Sequence, residues 1–285
     1  MESVRERAIV TAVTLVLAIG ALGDRARAQD VAPVASESAA ALFERVVGEA
    51  RRTGAIERVL GLHTLMMTRH FYDDEGVEQG HRRFLMTYDI SIDEVAEELR
   101  LVVLVLPEKS TGRVDISYVV GLDGRLRSAR SNAGGKLEAR VDDGKLILST
   151  ANQQEPLEHA WSDEILPKLV SAFVMPMLFD QGLPEVWSFR DLNPFGDLTQ
   201  PIVQRPLAAS SETVRIVGTF EGRPRETTRV HVALGGEQHG LLVRIETESE
   251  VNSEGRVTHL AVSERLAPEE YERLRPTWQP APAGD

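Results

Sequence analysis

Seven histidines and forty-four aspartates and glutamates hold the acid–base and metal-binding potential of this 285-residue chain, because there is no cysteine to supply a thiolate. The histidines stand at 63, 70, 81, 159, 231, 239 and 259. Those closest in sequence pair as His63 with His70 and His231 with His239. Seven or eight residues of extended strand span about 23–27 Å, so neither pair chelates an ion without a bend. They read as surface or core histidines, and no metal site is expected. Asp73-Asp74-Glu75-Gly76 has oxygen donors and a turn glycine but lacks the spaced ligands of a calcium loop, and reads as a solvated hairpin tip. Asp142-Asp143-Gly144 reads the same way. The densest acidic group, Asp93, Glu94, Glu97 and Glu98, falls where two strands join. General acid–base work needs two carboxylates at a set separation across a cleft, which adjacency in sequence does not provide. The hydrolase, metalloprotease, phosphate-loop and dinucleotide signatures are all absent. No catalytic residue and no cofactor is assigned, and the balance leans away from an enzyme.

A sharper signal is apolar. Residues 164–179 read as a helix capped by Ser162 or Asp163, apolar nearly all round, with Lys168 and Ser171 marking what little wet side exists. Such a helix is buried or faces a greasy ligand. Trp161, Phe173, Phe179, Trp187 and Phe189 crowd the same stretch of a chain that is only 5% aromatic. Core packing is the commoner use of such residues, and a hydrophobic pocket is the other. The residues expected to form an apolar ligand wall are Leu166, Leu169, Val170, Phe173, Met177 and Trp187.

The elements that must position this helix are mostly strands. Ser36 can cap a helix running to Arg52, with Gly54 as its stop and Leu42, Phe43, Val46, Val47 and Ala50 as its apolar stripe. From Leu62 the hydrophobic period becomes two: Phe84 to Ile90, Leu99 to Val105, Val114 to Val120, Leu137 to Val141, and Leu146 to Leu148. Asp123-Gly124 and Asp143-Gly144 mark tight antiparallel hairpins. Asn193 to Pro206, with three prolines, reads as an extended loop. Alternation resumes at Val214 and continues to Ala261, with turns at Glu221-Gly222, Gly235-Gly236 and Glu254-Gly255. A short helix over 268–274 follows, and 276–285 reads as a disordered tail. The expected fold is mainly β (α+β): a curved antiparallel sheet or incomplete barrel, covered by an apolar helix and preceded by an N-terminal one. One domain spans 36–275, as two meanders with a helical insertion near 164–179.

Residues 1–28 read as a secretory signal peptide, with Arg5 and Arg7 before the apolar run Ala8 to Leu22 and an Ala26-Arg27-Ala28 cleavage site. The run is shorter than the roughly 20 residues needed to span a bilayer, so no stable membrane anchor is expected. Residues 29–35 then form a linker, and the mature chain is periplasmic or secreted. Loss of four arginines and three acids takes the net charge from -12 to -13. That balance repels phosphate backbones, and nucleic acid is excluded as a partner. Without disulfides, the exported chain relies on its core.

The helix 36–52, the alternating runs 62–149, the helix 164–179 and the strands 214–262 together resemble the carrier fold of periplasmic lipoprotein-localisation proteins and similar secreted domains. The resemblance is of layout and carries no functional residue. It implies a non-enzymatic exported binding protein that holds a lipid or another apolar small molecule. The alternative is a structural or protein-interaction domain of the periplasm or cell surface, with a packed core, no ligand and an unspecified protein partner.

Overall fold

The computed structural model describes residues 38–108, 112–132, 136–151, 155–167, 174, 177, 181, 186–192, 202–209, 213–220, 223–232, 242–251 and 257–278. The expected signal peptide, the linker, Ser36, the turns at 221–222, 235–236 and 254–255, and residues 279–285 lie outside them. The fold is mainly β. Among the described residues, fifteen strands follow one another as β1 (Gly61–Tyr72), β2 (Glu78–Asp93), β3 (Glu98–Pro107), β4 (Val114–Gly121), β5 (Leu126–Ser131), β6 (Leu137–Asp142), β7 (Lys145–Thr150), β8 (Leu157–Ala160), β9 (Ile165–Pro167), β10 (Val186–Leu192), β11 (Ile202–Ala209), β12 (Thr213–Phe220), β13 (Arg223–Val232), β14 (Leu242–Val251) and β15 (Val257–Arg265). All belong to one sheet, which runs from β8 inward to β1, crosses to β15, and continues outward to β9. Every neighbouring pair is antiparallel except β9 with β10.

This order forces the sheet to curl. β8 and β9 are its opposite edges, yet only residues 161–164 join them. Fifteen flat strands would measure roughly 65 Å across, while five Cα–Cα steps reach no more than about 19 Å. One apolar cluster accordingly contains Leu148 of β7, Leu101 of β3, Leu65 of β1, Val230 of β13 and Ile165 of β9. Strands this far apart in the sheet share a cluster only if the sheet wraps around it. The result is an incomplete barrel whose first and last strands pair and whose opening lies between β8 and β9.

The N-terminal helix, Ala39–Thr53, fills the enclosed side. Its apolar stripe, Leu42, Phe43, Val46, Val47 and Ala50, is wholly buried, as its spacing predicts. The cap is Ser38 rather than Ser36: its hydroxyl accepts from Ala41 N–H at 3.2 Å, and Gly54 ends the helix at φ 76°. The turn at Asp123-Gly124 meets the start of this helix so closely that a Cβ on Gly124 would stand 2.8 Å from the Ala40 Cα. Only Gly124 has positive φ in that turn, whereas both Asp143 and Gly144 have it in the next.

A second, smaller cluster lies on the outer face. The C-terminal helix, Pro268–Trp278, packs Tyr271 and Trp278 over Leu85 and Leu106, with Arg83 stacked 5.6 Å from the Trp278 ring. A helix stopping at 274 and a tail beginning at 276 are therefore corrected: helix continues through Pro276 because Trp278 has an apolar seat to fill. Thr64 and Leu266 lock the approach to this helix by exchanging two hydrogen bonds, of 2.8 and 2.9 Å.

Three further expectations change. The helix over 164–179 does not begin where its composition suggests, since Ile165–Pro167 is strand β9. Pro167 disfavours helical backbone at Leu166 and suits an edge strand. Val174, Met177 and Gln181 are helical, and the other positions from 168 to 179 lie outside the described residues. The extended loop 193–206 contains the start of β11, and its ladder to β12 skips Arg205 and Pro206, where proline has no N–H to offer. Finally, Leu157–Ala160, at the end of a stretch with no alternation, forms β8.

Candidate functional site

The enclosed face changes character across the seam between β1 and β15. On the β1 side, Leu65, Met67, Phe84, Met86, Tyr88, Val103, Val105, Ile116 and Tyr118 are all buried beneath the N-terminal helix. Register carries that face into β15 and β14, because Leu65 and Met67 stand opposite Arg265 and Ser263, and Ser263 opposite Ile245. There Ile245, Val257, His259 and Ala261 are only half-buried, and Val243 is 40% exposed. Beyond them Val230 of β13 is buried again. A largely apolar strip, interrupted by Thr247 and Ser263, thus lies partly uncovered inside a curved sheet.

One end of this strip is cationic. Arg69 continues the Leu65–Met67 face but is buried, and it directly opposes Arg82 across the β1–β2 ladder. Both guanidinium groups lie over the Phe71 ring, at 5.3 and 5.7 Å, and His259 meets the same ring edge-on at 4.9 Å. The face of the ring attracts both cations.

The opening between β8 and β9 carries polar groups of its own. Trp161 N–H donates to the Gly144 carbonyl at 2.9 Å and Ala40 N–H to the Asp163 carbonyl at 2.8 Å, so the link 161–164 is tied to both the sheet and the N-terminal helix. Arg125 grips Asp163 through two bonds of 3.1 Å, which hold the Asp163 carboxyl below its usual range. Gln181 donates to the Val46 carbonyl at 2.9 Å. Yet the Trp161 indole N–H, the Ser162 hydroxyl and the Gln181 side-chain oxygen are buried without a hydrogen-bond partner. Each such group typically costs about 1–3 kcal/mol unless something satisfies it.

Of the six residues expected to form a ligand wall, Leu166 and Met177 are buried in the main core, Leu166 completely. Trp187 lies in β10, opposite Leu207. Leu169, Val170 and Phe173 lie outside the described residues. The part-open strip on β14 and β15 went unnoticed in the sequence because its alternation looks like that of any half-buried strand. The acidic group at 93–98 is a turn, as read: Asp93 accepts from Val95 and Ala96 N–H and pairs with Arg100, while Glu94 pairs with Arg51. His63 is structural, its ring N–H donating to the Val59 carbonyl at 2.8 Å, and burial lowers its pKa.

No family model and no curated protein matches the chain. Among solved structures, it is remotely similar to a β-barrel-like protein of domain of unknown function DUF1849 from Brucella abortus, with 10% identity, a TM-score of 0.49, and 73% of this chain and 96% of that one covered. A DUF1329 family protein from Desulfovibrio piger matches at 5% identity and a TM-score of 0.29, covering 81% and 92% of the two chains. A domain ascribed to an outer membrane lipoprotein-sorting protein of Vibrio parahaemolyticus matches at 7% identity and a TM-score of 0.21, covering 82% and 97%. No residue role passes from any of them to this chain. Among the described residues, no helix is long and apolar enough to cross a membrane.

Proposed function

We propose that this is an exported, non-enzymatic binding protein that seats a lipid or similar apolar molecule on the enclosed face of the β14–β15 region. The observation that carries the reading is the change on one continuous face from sealed core to half-buried apolar strip. Covering such a strip is worth roughly 25 cal/mol per Å² of apolar surface, and the curved sheet around it limits what reaches it to a small molecule. Arg82, exposed at one end over the Phe71 ring, favours a ligand with an anionic head. The alternative, an interaction domain with a packed core, draws on the complete burial of Ile165 and Leu166.

Organic-solvent extraction of purified protein followed by mass spectrometry tests this directly, together with titration of a fluorescent long-chain fatty acid and its neutral alcohol analogue. The expected result is saturable binding that prefers the acid and weakens roughly tenfold in Ile245→Asp, where a charge enters the apolar strip. An empty extract with no saturable binding of either probe would establish the packed-core alternative.

A further inference from the structure

Two histidines that look remote in sequence are neighbours on the outer face of the β1–β2 hairpin. His70 stands directly opposite His81 in the ladder, and their ring centroids are 5.9 Å apart. Regular alternation from His81 would turn Glu78 to the other side of the sheet. The register instead slips between Phe71 and Tyr72, so that Glu78 faces Tyr72, with Gly80 at φ 153° accommodating the irregularity. A bulge of this kind re-aims a side chain, and here it brings Glu78 to the face of both histidines. One carboxylate oxygen of Glu78 lies 2.9 Å from His70 Nδ1 and 3.6 Å from His81 Nδ1. All three donor atoms fall within 4.8 Å of one another.

We propose that His70, Glu78 and His81 form a binding site for a divalent ion of the zinc class. Tetrahedral zinc with bonds of about 2.0–2.1 Å places its ligand atoms roughly 3.3 Å apart, so small side-chain rotations close the observed triangle around an ion. Two imidazoles with one carboxylate suit zinc, nickel or copper better than calcium or magnesium, which take oxygen. The hydrogen bond between Glu78 and His70 already sets the carboxylate beside both rings. Tyr72 stacks beside His70, with ring centroids 6.5 Å apart and planes inclined by 25°, and limits how that ring turns. The side chains of His81 and Glu78 are 54% and 43% exposed. Water therefore reaches the fourth coordination position, and the site exchanges its ion rather than locking it into the fold. It lies outside the enclosed face and stands independently of the ligand reading above.

The test uses the untagged full chain, stripped with chelator, and titrates Zn²⁺ by calorimetry and Co²⁺ by visible absorption. The expected result is one saturable site per chain, weakened roughly tenfold or more in both His81→Ala and Glu78→Gln. Both substituted positions are exposed, and circular dichroism confirms that the variants keep their fold; His159→Ala is the control that leaves binding unchanged. Absence of saturable binding up to millimolar ion, or binding that neither variant weakens, would mean that the three groups form only an ion pair and would overturn the site.

Discussion

Gly124 and Gly144 occupy similar turns with positive φ, yet their surroundings differ. Adding a Cβ at Gly144 meets nothing within 4 Å, while at Gly124 it strikes the backbone of Ala40. Gly144→Ala should therefore cost only the conformational penalty, about 1 kcal/mol, and Gly124→Ala clearly more, because the N-terminal helix must shift. Paired urea melts read that difference, and equal losses would mean that the helix yields freely. Leu166 offers a similar contrast. A residue lining a half-filled cavity loses little on truncation, but Leu166 is buried completely, so Leu166→Ala should cost about 2–5 kcal/mol by the same measurement. Residue types were legible in the sequence, while their partners were legible only through register. The Asp73–Gly76 hairpin tip was readable, but counting outward from the Tyr72–Glu78 pair sets His70 opposite Gly80, and only the bulge moves it opposite His81. Comparing histidines by sequence separation alone missed that pair. The bulge that swings Glu78 beside them follows from no local preference.

At the scale of elements, period-two alternation and turn glycines predicted the central strands closely, because each buries one face against a helix or core. They failed where strands are short, edge-placed or proline-bearing: β8, β9 and β11 have too few residues or too irregular a pattern to show a period. The apolar run after Asp163 is compatible with helix or buried strand, and Pro167 is what settles its start as extended. The C-terminal helix was legible in position but not in length, since nothing local to Pro276 announces the seat waiting for Trp278 on the outer face. Trp278→Ala should cost about 3–5 kcal/mol and increase binding of an apolar dye, as Leu85 and Leu106 become accessible. A melt unchanged from the parent would mean that the helix is ornamental.

For the whole molecule, curling is the property on which the ligand reading depends. A wrapped chain of this length should have a radius of gyration near 19 Å in small-angle scattering, whereas a flat fifteen-stranded sheet would exceed about 22 Å. The Arg125–Asp163 fork pins the link that brings the sheet edges together. Because the folded Asp163 pKa is lowered, its contribution is present above the ordinary aspartate range, near pH 4, and is lost as pH falls through the folded value. Both groups are substantially exposed, so the stability at stake is below about 1 kcal/mol, read as the difference between parent and Asp163→Asn melts at pH 7 and pH 2.5.

The seam between β1 and β15 also fixes an order in time. Leu65 pairs with Arg265, so the two ends of the domain must find each other across nearly the whole polypeptide. For an exported chain that order plays out after translocation rather than on the ribosome. β1 to β8 form consecutive hairpins of short separation, with the N-terminal helix at hand to cover them. β1 nevertheless waits with one side unpaired until β15 arrives. A long central strand stays open meanwhile, and a holding chaperone that masks β1 would act at the moment of greatest exposure. Closure is the slow, non-local step, and a chain cut short of residue 265 cannot complete its own circuit.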